Sequence, residues 1–409
     1  MSEENMQAVK QKAGLYLLVP VIIFILTYIA FSVQAVKPGG SDTTVHMAKA
    51  LSFDLVMSES HCGWHFVCWL FYVCLPITIE EAAAASTAAF NTFTAVLVLW
   101  FGEKYLSSVK EEKIRTAAVA GITLVSMLVG PLYLRFYNKR YYLGQGSPNP
   151  WHNPTSTAVR PFMILITILT VEYWSCKEEE RITVLRKNMK KTTAYELLLG
   201  VLLLISTIIK PSYLMIYLPV CGIRALVKLF QNRGRGFWKL VAQHLYFIPS
   251  LLVFLYQYLI IYFLPTQEGA EESQVVIALF RAVRMHAPSV TISLLLRMAF
   301  PFLVIFLWRR EIFREWCFPL IFGQYLAGLA VSWTFAETGR RASHGNFGWG
   351  NILACFILWV FCLFFFAKKL WMEKEQIGGS RALKIKYGAL FFLLAWHLAG
   401  GICFYLIQV

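Results

Sequence analysis

Apolar runs long enough to cross a lipid bilayer recur along almost the whole chain, with short polar segments between them. A hydrocarbon core of about 30 Å needs roughly 17 to 25 helical residues, and an open chain can satisfy its backbone hydrogen bonds there only as helices. The composition agrees, since 58% of the 409 residues are apolar and the mean hydropathy is +0.57. We therefore expect an all-α polytopic membrane protein with a single transmembrane domain over residues 1–409.

The apolar runs predict eleven transmembrane helices. The predicted spans cover residues 14–36, 82–101, 117–134, 158–174, 193–209, 211–223, 240–264, 288–307, 317–335, 351–367 and 387–407. The first run follows Lys10 and Lys12 and carries no small-residue cleavage site, so we interpret it as a retained span and not as a signal peptide.

A twelfth apolar stretch, residues 61–79 ("HCGWHFVCWLFYVCLPITI"), is long enough to cross, but the distribution of basic residues argues against it. If this stretch crossed, the basic run 177–191 would face outward, whereas Lys and Arg collect on cytoplasmic loops. If it lies at the surface or is re-entrant, 26 of the 38 Lys and Arg residues face the cytoplasm. We therefore predict that the N-terminus is inside, that the C-terminus is outside, and that residues 37–81 form a helical first outer loop.

The net charge of +15 has the same explanation, because the cytoplasmic loops of membrane proteins are basic. It gives no reason to expect a nucleic-acid partner. Most of the nine cysteines lie in apolar segments at no metal-ligand spacing, so we interpret them as small core residues and predict neither disulfides nor a metal site. No cofactor is expected, and nothing in the sequence supports a divalent metal.

This topology places four polar clusters on the outer face, although none of them was used to derive it. They are "GGSDTTVHMAKA" at 39–50, "GQGSPNPWHNPT" at 144–155, "KPS" at 210–212 and "AETGRRASHGNFGWG" at 336–350. Because the four clusters all fall on one side of the membrane, we predict a single extracytoplasmic site built from distant parts of the chain.

Asp42 and His46 stand four residues apart at the start of the first outer loop, so a helix beginning there would place both on one face. One interpretation is that Asp42 only caps this helix, as Asp does at many helix starts. The other is that its carboxylate deprotonates an acceptor hydroxyl, a general-base role that needs one well-placed carboxylate.

The next two clusters offer groups for phosphate and for sugar. Lys210 stands at the tip of a Lys-Pro hairpin between two spans, where an ammonium either snorkels to the surface or binds lipid phosphate. Trp151 is either an interfacial anchor or, with His152 and Asn153, a surface that holds a sugar ring by stacking and hydrogen bonds.

The 336–350 cluster holds the densest set of charges and is the strongest single indication of a binding site. Its candidate ligand-binding residues are Glu337, Arg340, Arg341, His344 and Asn346. Two arginines suit a phosphate clamp, because each presents a planar fork of donors. Arg297, near the middle of a predicted span, either binds phosphate as well or pairs with Glu337 or another carboxylate.

Together these features resemble the type C membrane glycosyltransferase superfamily (GT-C). The resemblance rests on the carboxylate in "SDTTVHMAKA" after the first span, the surface stretch "HCGWHFVCWLFYVC" before the second, and "KPSYL" between two later spans. It covers the layout of most of the chain and implies sugar transfer outside the membrane from a polyprenyl-phosphate carrier, with Asp42 as the base. The chain departs from the family in having no second acidic residue beside Asp42.

We therefore expect an inverting glycosyltransferase at the outer face of a bacterial cytoplasmic membrane, acting in surface-glycan assembly. Its partners would be a lipid-linked sugar donor, a glycan or lipid acceptor, and membrane lipid. Two alternatives stay open: a surface-polysaccharide polymerase or ligase using lipid-pyrophosphate-linked oligosaccharide, and a glycolipid flippase or transporter. A transport path would place polar groups through the middle of the membrane, and the spans hold few of them apart from Arg297.

Overall fold

The chain is mostly α-helical, with two short two-stranded sheets. The computed structural model describes residues 3–37, 41–134, 136–137, 146–177, 179–184, 187–263 and 273–409, and the side chains of residues 3–11, 187 and 340 lie outside this description. The elements in chain order are α1 (Glu3–Val36), α2 (Asp42–Ala48), α3 (Phe53–Ser58), α4 (Gly63–Cys74), α5 (Ile79–Tyr105), α6 (Glu112–Leu128), α7 (Pro154–Ser175), β1 (Arg181–Val184), β2 (Lys187–Lys190), α8 (Lys191–Ile209), α9 (Ser212–Gln231), α10 (Phe237–Ala242), α11 (Ile248–Tyr262), β3 (Val275–Ile277), α12 (Arg281–Arg284), α13 (Val290–Leu307), α14 (Arg309–Ile312), α15 (Phe318–Thr334), β4 (Phe335–Glu337), α16 (Trp349–Ile377) and α17 (Arg381–Gln408).

Nine helical segments of the described chain are long and apolar enough to cross a membrane: α1, α5, α7, α8, α9, the α10–α11 segment, α13, α16 and α17. Two further helices of 17 residues, α6 and α15, overlap with the predicted spans 117–134 and 317–335, respectively. Each of the eleven predicted spans therefore contains a helix. The expectation of an all-α, multi-pass membrane protein is confirmed.

The apolar stretch 61–79 forms a helix that is too short to cross the membrane. Helix α4 has 12 residues, which is about 18 Å of helix against a hydrocarbon core of about 30 Å. The chain then leaves the helical conformation until Thr78, which opens α5 with a reciprocal capping box to Glu81. With α2 and α3, this makes the predicted first outer loop helical over most of its described residues.

Helix α16 forms the centre of the bundle. Every residue from Trp349 to Phe366 is buried, and the helix packs against α15, α6, α9 and α13. The sequence explains this position, because "NILACFILWVFCLFFF" is apolar on all sides, and a helix without a polar face belongs in the interior.

Small residues let α5 lie close to its neighbours. Its first turns carry the buried alanines Ala82, Ala83, Ala84 and Ala88, and the helix packs against α1 and α7. Small side chains allow helix backbones to approach in lipid, where apolar side chains gain little by leaving the hydrocarbon. A buried hydrogen bond of 2.8 Å from Asn91 Nδ2 to Thr27 Oγ1 then fixes the register of α5 on α1.

The predicted span 117–134 is helical over only part of its length, which corrects the sequence prediction. Helix α6 ends at Leu128, because Pro131 cannot continue it. The following extended residues bond to other helices: Gly130 N–H donates to the His397 carbonyl at 3.0 Å, and Leu132 N–H donates to the Leu296 carbonyl at 2.8 Å. These bonds satisfy backbone groups that lipid would leave unpaired.

Most ion pairs cluster at one end of the bundle and join residues that the sequence assigns to the cytoplasmic side. They are Lys12–Glu103, Lys104–Glu172, Arg115–Glu103, Lys191–Glu180, Lys368–Glu315, Lys369–Glu311, Lys374–Glu111 and Lys386–Glu373. Lys49–Glu59 and Arg341–Glu337 join residues assigned to the outer side. The ion pairs therefore bring together the loops that were predicted to lie on one side of the membrane. That this side is the cytoplasmic one stays a prediction from the distribution of Lys and Arg.

The interior of the bundle is more polar than the sequence suggested. Between α7, α9 and α15, Thr167 Oγ1 lies 3.1 Å from the Tyr213 hydroxyl, and Gln324 Nε2 donates to the same hydroxyl at 3.2 Å. A second hydroxyl chain, with contacts of 2.7 and 3.2 Å, consists of Thr170, Tyr217 and Tyr246. Because these side chains bond to one another, they hold neighbouring helices together.

Candidate functional site

The four polar clusters meet around the start of α7. Asn153 donates to Asp42 of the first cluster, and Lys210 of the third donates to Asn153 of the second. Trp349, in the fourth cluster, lies under the Lys210 ammonium, with the nitrogen 4.2 Å from the ring centroid. Residues 39–40 and 144–145 of these clusters lie outside the described part of the chain.

The Asn153 side chain connects the carboxylate to the ammonium, and its amide orientation is fixed. Its Oδ1 caps α7 by accepting from Ser156 N–H at 2.8 Å, and it also accepts from Thr155 Oγ1 at 3.0 Å and Lys210 Nζ at 3.2 Å. Three donors on Oδ1 leave Nδ2 to point the other way. There it donates to Asp42 Oδ2 at 2.6 Å.

Asp42 is the first residue of α2 and does not cap it, so the interpretation of Asp42 as a simple helix cap is wrong. The cap is Ser41, whose Oγ accepts from Thr43 N–H at 2.9 Å. The half-buried Asp42 carboxylate instead faces Asn153 through Oδ2. Within the described residues no hydrogen bond engages Oδ1, so this oxygen can receive a proton.

Lys210 is buried and does not snorkel, which corrects one of its two interpretations. Only 8% of the residue is exposed, and its ammonium donates to three side-chain oxygens at the start of α7, at 3.0 to 3.2 Å. Burial lowers the pKa of Lys210 to about 7, although the nearby Asp42 carboxylate opposes this shift. The side-chain amine of Lys210 therefore binds and releases its proton near neutral pH.

Three histidines form a cluster beside this group. His46 Nδ1 lies 2.9 Å from His65 Nε2, and the His61 ring is 6.1 Å from both other rings. Burial lowers the pKa of all three imidazoles, that of His65 to about 4. The positive charges of Lys210 and Arg341 lower the pKa of His61 further, so the surroundings of this ring are electropositive.

The sequence pointed to His46 but missed the other two members of this cluster. The available signal was the spacing of His61 and His65, four residues apart in the apolar stretch 61–79; in the structure His61 lies in the turn before α4 and His65 in the first turn of that helix. Among the described residues, no group of three or more His, Cys, Asp or Glu side chains is arranged to hold a metal ion. The imidazoles are neutral hydrogen-bonding groups in this geometry.

Trp151 and His152 are packed into the protein. Trp151 is 3% exposed, stacks edge-on against Tyr405 with ring centroids 5.0 Å apart, and its carbonyl accepts from Gln34 Nε2 at 2.7 Å. His152 lies against Trp349, and burial lowers its pKa to about 4. Trp151 thus presents no open face to a sugar in this conformation, whereas the loop backbone it anchors positions Asn153.

A buried carboxylate organises the 336–350 cluster. Glu337 is 3% exposed; its Oε1 accepts from Arg341 Nε at 2.8 Å and from the Tyr262 hydroxyl at 2.6 Å. Its Oε2 accepts from Asn346 Nδ2 at 2.6 Å. This carboxylate therefore holds α11 to the loop and fixes the orientation of the Arg341 guanidinium, which stays partly exposed.

The rest of this cluster lies at the rim. His344 is exposed in the loop between two 3₁₀ helices, Gly339–Arg341 and Asn346–Gly348. The backbone of Arg340 belongs to the first of these turns, and its side chain lies outside the described part of the structure. The loop is tied to the remaining chain through β4, which pairs antiparallel with β3.

Arg297 does not pair with Glu337, which corrects that part of the structural alternative; its pairing with another carboxylate stays a prediction. The Asn351 amide, with its oxygen toward the Arg297 guanidinium, accepts from it at 3.0 and 3.3 Å, and Tyr325 lies 3.5 Å away. Arg297 is 7% exposed and also lies against Gly146, where a Cβ would stand 3.2 Å from its Nη1. This buried arginine connects α13, α15 and α16 to the 146–149 loop.

The arrangement can perform two chemical tasks. The Asp42 carboxylate has an oxygen that can accept a proton, and the side chains around His61 create a positive potential suited to an oxyanion. No protein-family model matches the sequence, and no curated protein is significantly similar to it. The interpretation therefore rests on the chemistry of the site.

Proposed function

We propose that the protein is an inverting glycosyltransferase that takes a sugar from a polyprenyl phosphate or pyrophosphate and transfers it to an acceptor at the outer face of a bacterial cytoplasmic membrane. The observation that carries this proposal is the chain Asp42–Asn153–Lys210, which joins a half-buried carboxylate to a buried ammonium at the predicted outer end. The resemblance to GT-C enzymes supports the same role for Asp42.

In the proposed reaction an acceptor hydroxyl attacks the anomeric carbon of the donor sugar. The bond between that carbon and the phosphate oxygen breaks, the hydroxyl proton passes to Asp42 Oδ1, and the electron pair leaves with the lipid phosphate. Asn153 holds Oδ2 at 2.6 Å and so fixes the direction of the other oxygen. A positioned base of this kind contributes about 10²- to 10⁴-fold to the rate.

The leaving phosphate gains negative charge, which the surrounding cations would stabilise. Arg341 is partly exposed and oriented by Glu337, so it can present its free guanidinium nitrogens to a phosphate. The Lys210 ammonium does not contact the phosphate in this proposal, because it donates its hydrogen bonds to three side chains at the start of α7. Its positive charge stabilises the leaving phosphate through space. The neutral imidazoles of the histidine cluster, and the exposed His344, offer hydrogen bonds to the donor head group.

Sugar binding in this proposal uses the rim of the site. Asn346 and Glu337 are bonded to each other, and both border the loop that carries the exposed His344. His152 is partly exposed and lies against Trp349, and in this proposal it offers a hydrogen bond to the sugar. Arg297 lies among α13, α15 and α16, and we propose that it orders the 146–149 loop that leads to Asn153.

A transport function finds less support than catalysis. The hydroxyl chains inside the bundle are bonded to one another, and the cavity beside Thr167 has a volume of about 10 Å³ and an apolar lining. Such a cavity holds at most one water. A glycolipid path would need a far wider polar passage between helices.

The test compares two aspartates of the first outer loop in cells that lack the protein. Asp42→Asn removes the proposed base, and Asp54→Asn removes an exposed carboxylate of α3 that has no part in the site. Mass spectrometry of lipid-linked sugars and surface glycan should show loss of the product with Asp42→Asn and normal product with Asp54→Asn. Normal glycan in the Asp42→Asn strain would refute the proposal.

The accumulated substrate in the same cells separates the alternatives. A transferase strain should accumulate the donor on the outer leaflet, and the missing sugar identifies the transferred unit. Accumulation of complete oligosaccharide on a lipid pyrophosphate would instead identify a polymerase or ligase. Accumulation on the inner leaflet would identify a flippase and overturn the enzymatic assignment.

A further inference from the structure

A group of cations lies at the end of the bundle that is opposite to the proposed active site. It is formed by the last two turns of α9 and the turn that follows, and we call it the basic turn: Arg224, Lys228, Arg233 and Arg235. The surrounding sequence is unusual, because residues 197–267 contain no Asp or Glu. No carboxylate close in sequence can neutralise these charges.

The other basic loops at this end differ in this respect. Lys104, Lys191, Lys368 and Lys386 are each paired with a glutamate. In the described part of the chain, no ion pair involves a member of the basic turn. Within the described residues, the bundle therefore pairs at least one lysine in several other basic loops with a glutamate and pairs none of the four cations of the basic turn.

The backbone of the turn presents these charges outward. Arg233, Gly234 and Gly236 all have left-handed backbone conformations, with φ of 51°, 78° and 80°. This sequence of conformations reverses the chain sharply between α9 and α10, so Arg233 and Arg235 lie at an exposed tip. Closer to the bundle, the Arg224 guanidinium carbon lies 3.8 Å from the centroid of the Trp174 ring, a cation–π contact that holds this arginine at the base of the turn.

Exposed aromatic side chains flank the same turn. Phe230 and Trp238 are each 79% exposed, one before the turn and one after it. Trp favours the membrane–water interface, where its ring meets both apolar chains and polar head groups. These two rings place the basic turn at the level of the lipid head groups and not in the aqueous phase beyond them.

The geometry points to a binding surface for anionic phospholipids: the basic turn holds their phosphate groups while Phe230 and Trp238 enter the interface beside them. Charge complementarity and the adjoining aromatic rings favour lipid over an acidic protein segment, because a soluble partner would gain nothing from rings already immersed in the interface. This assignment is independent of the proposed glycosyltransferase activity, since the surface lies at the opposite end of the bundle.

The experiment uses the purified full-length protein in detergent, titrated with phosphatidylglycerol or phosphatidylcholine, with bound lipids counted by native mass spectrometry. The test variant is Arg233→Asn/Arg235→Gln, in which Asn suits the left-handed position. The control is Lys191→Gln/Lys374→Gln, which removes two partly exposed lysines at the same end that are paired with Glu180 and Glu111. Thermal unfolding confirms that each variant is folded.

We expect the test variant to lose affinity for phosphatidylglycerol by about 25-fold, about fivefold for each cation, and to bind phosphatidylcholine as wild type does. The control variant should keep the wild-type affinity. Equal losses in the two variants, or no loss in the test variant, would overturn the assignment. Tighter capture of a polyglutamate peptide than of phosphatidylglycerol by the wild-type turn would overturn it in favour of a protein partner.

Discussion

The buried ammonium of Lys210 makes the stability of this protein depend on pH in a window that few other groups share. Burial lowers its pKa from the ordinary 10.5 to about 7, so between these values the unfolded chain binds a proton that the folded chain has released. Stability rises with pH wherever the unfolded state binds more protons. The free energy of unfolding should therefore increase from pH 7 toward pH 10.

The size of this effect follows from the two pKa values. One pKa unit corresponds to 1.36 kcal/mol, and integration between pH 7 and pH 9 gives an increase of about 2 kcal/mol. The histidines contribute below this window, since burial lowers the pKa of His65 and His152 to about 4 and an unfolded histidine titrates near 6.5. Above pH 7 the thiols of Cys62 and Cys68 act in the opposite direction, because burial raises their pKa and the unfolded chain releases these protons first. The contribution of Lys210 is therefore the difference between wild type and a variant that lacks this amine.

The assay is thermal unfolding of the purified protein in detergent at pH 7, 8 and 9, followed by tryptophan fluorescence. Wild-type protein should unfold at a temperature higher by a few degrees at pH 9 than at pH 7. Lys210→Met has no proton to release, so its unfolding temperature should rise less between pH 7 and pH 9 than that of wild type, by about the same few degrees. Lys37→Met, which removes an exposed lysine at the same end of the bundle, should follow wild type. A wild-type slope in Lys210→Met would show that another group releases the proton and would refute the reasoning.

Three further predictions follow from other contacts. Asn153→Asp keeps an oxygen that caps α7 and accepts from Lys210, but it replaces the amide donor to Asp42 with a second carboxylate. The protein should fold normally, and lipid-linked sugar should accumulate in the cells. A wild-type amount of surface glycan would show that the amide donor is dispensable. Glu337→Gln leaves Arg341 without its carboxylate and should lower stability by about 2 kcal/mol in denaturant titrations, whereas an unchanged midpoint would show that the pair is not structural. Gly401→Ala places a Cβ 1.8 Å from the Leu128 carbonyl oxygen, so it should lower the free energy of unfolding by about 1–3 kcal/mol or more, or prevent folding. In the control Gly388→Ala, in the same helix, the added Cβ meets nothing within 4 Å, and this variant should match wild type in gel filtration.

The sequence alone was sufficient for the membrane-embedded architecture. The hydrophobic effect and the need to satisfy backbone groups in lipid act on each segment separately, so the apolar runs indicated the helices of the bundle. Local signals also gave the break between α8 and α9 at Lys210-Pro211. Hydropathy does not mark the end of α6 at Leu128, because the extended residues that follow are as apolar as the helix itself. In the sequence, Pro131 is the signal that marks this end.

The partners of the polar side chains were decided by the tertiary structure. Asp42 and Asn153 are 111 residues apart, and nothing in either local sequence indicates which amide meets which carboxylate. Glu337 was weighed as a partner for Arg297, yet it meets Arg341 four residues away because β4 and the following turn fold back on α11. The choice among compatible donors and acceptors depends on which backbones approach each other.

What the sequence by itself determined is therefore which segments are apolar and long enough to form membrane helices, because that property is a sum over local residues; the side on which the charges collect stays a prediction from the sequence. What only the tertiary structure decided is that Lys210 is buried, that Ser41 and not Asp42 caps α2, and that three histidines from α2, α4 and the turn before α4 meet. Burial and pairing of a polar group depend on the helices packed around it, and α16 brings those helices together at the centre of the bundle.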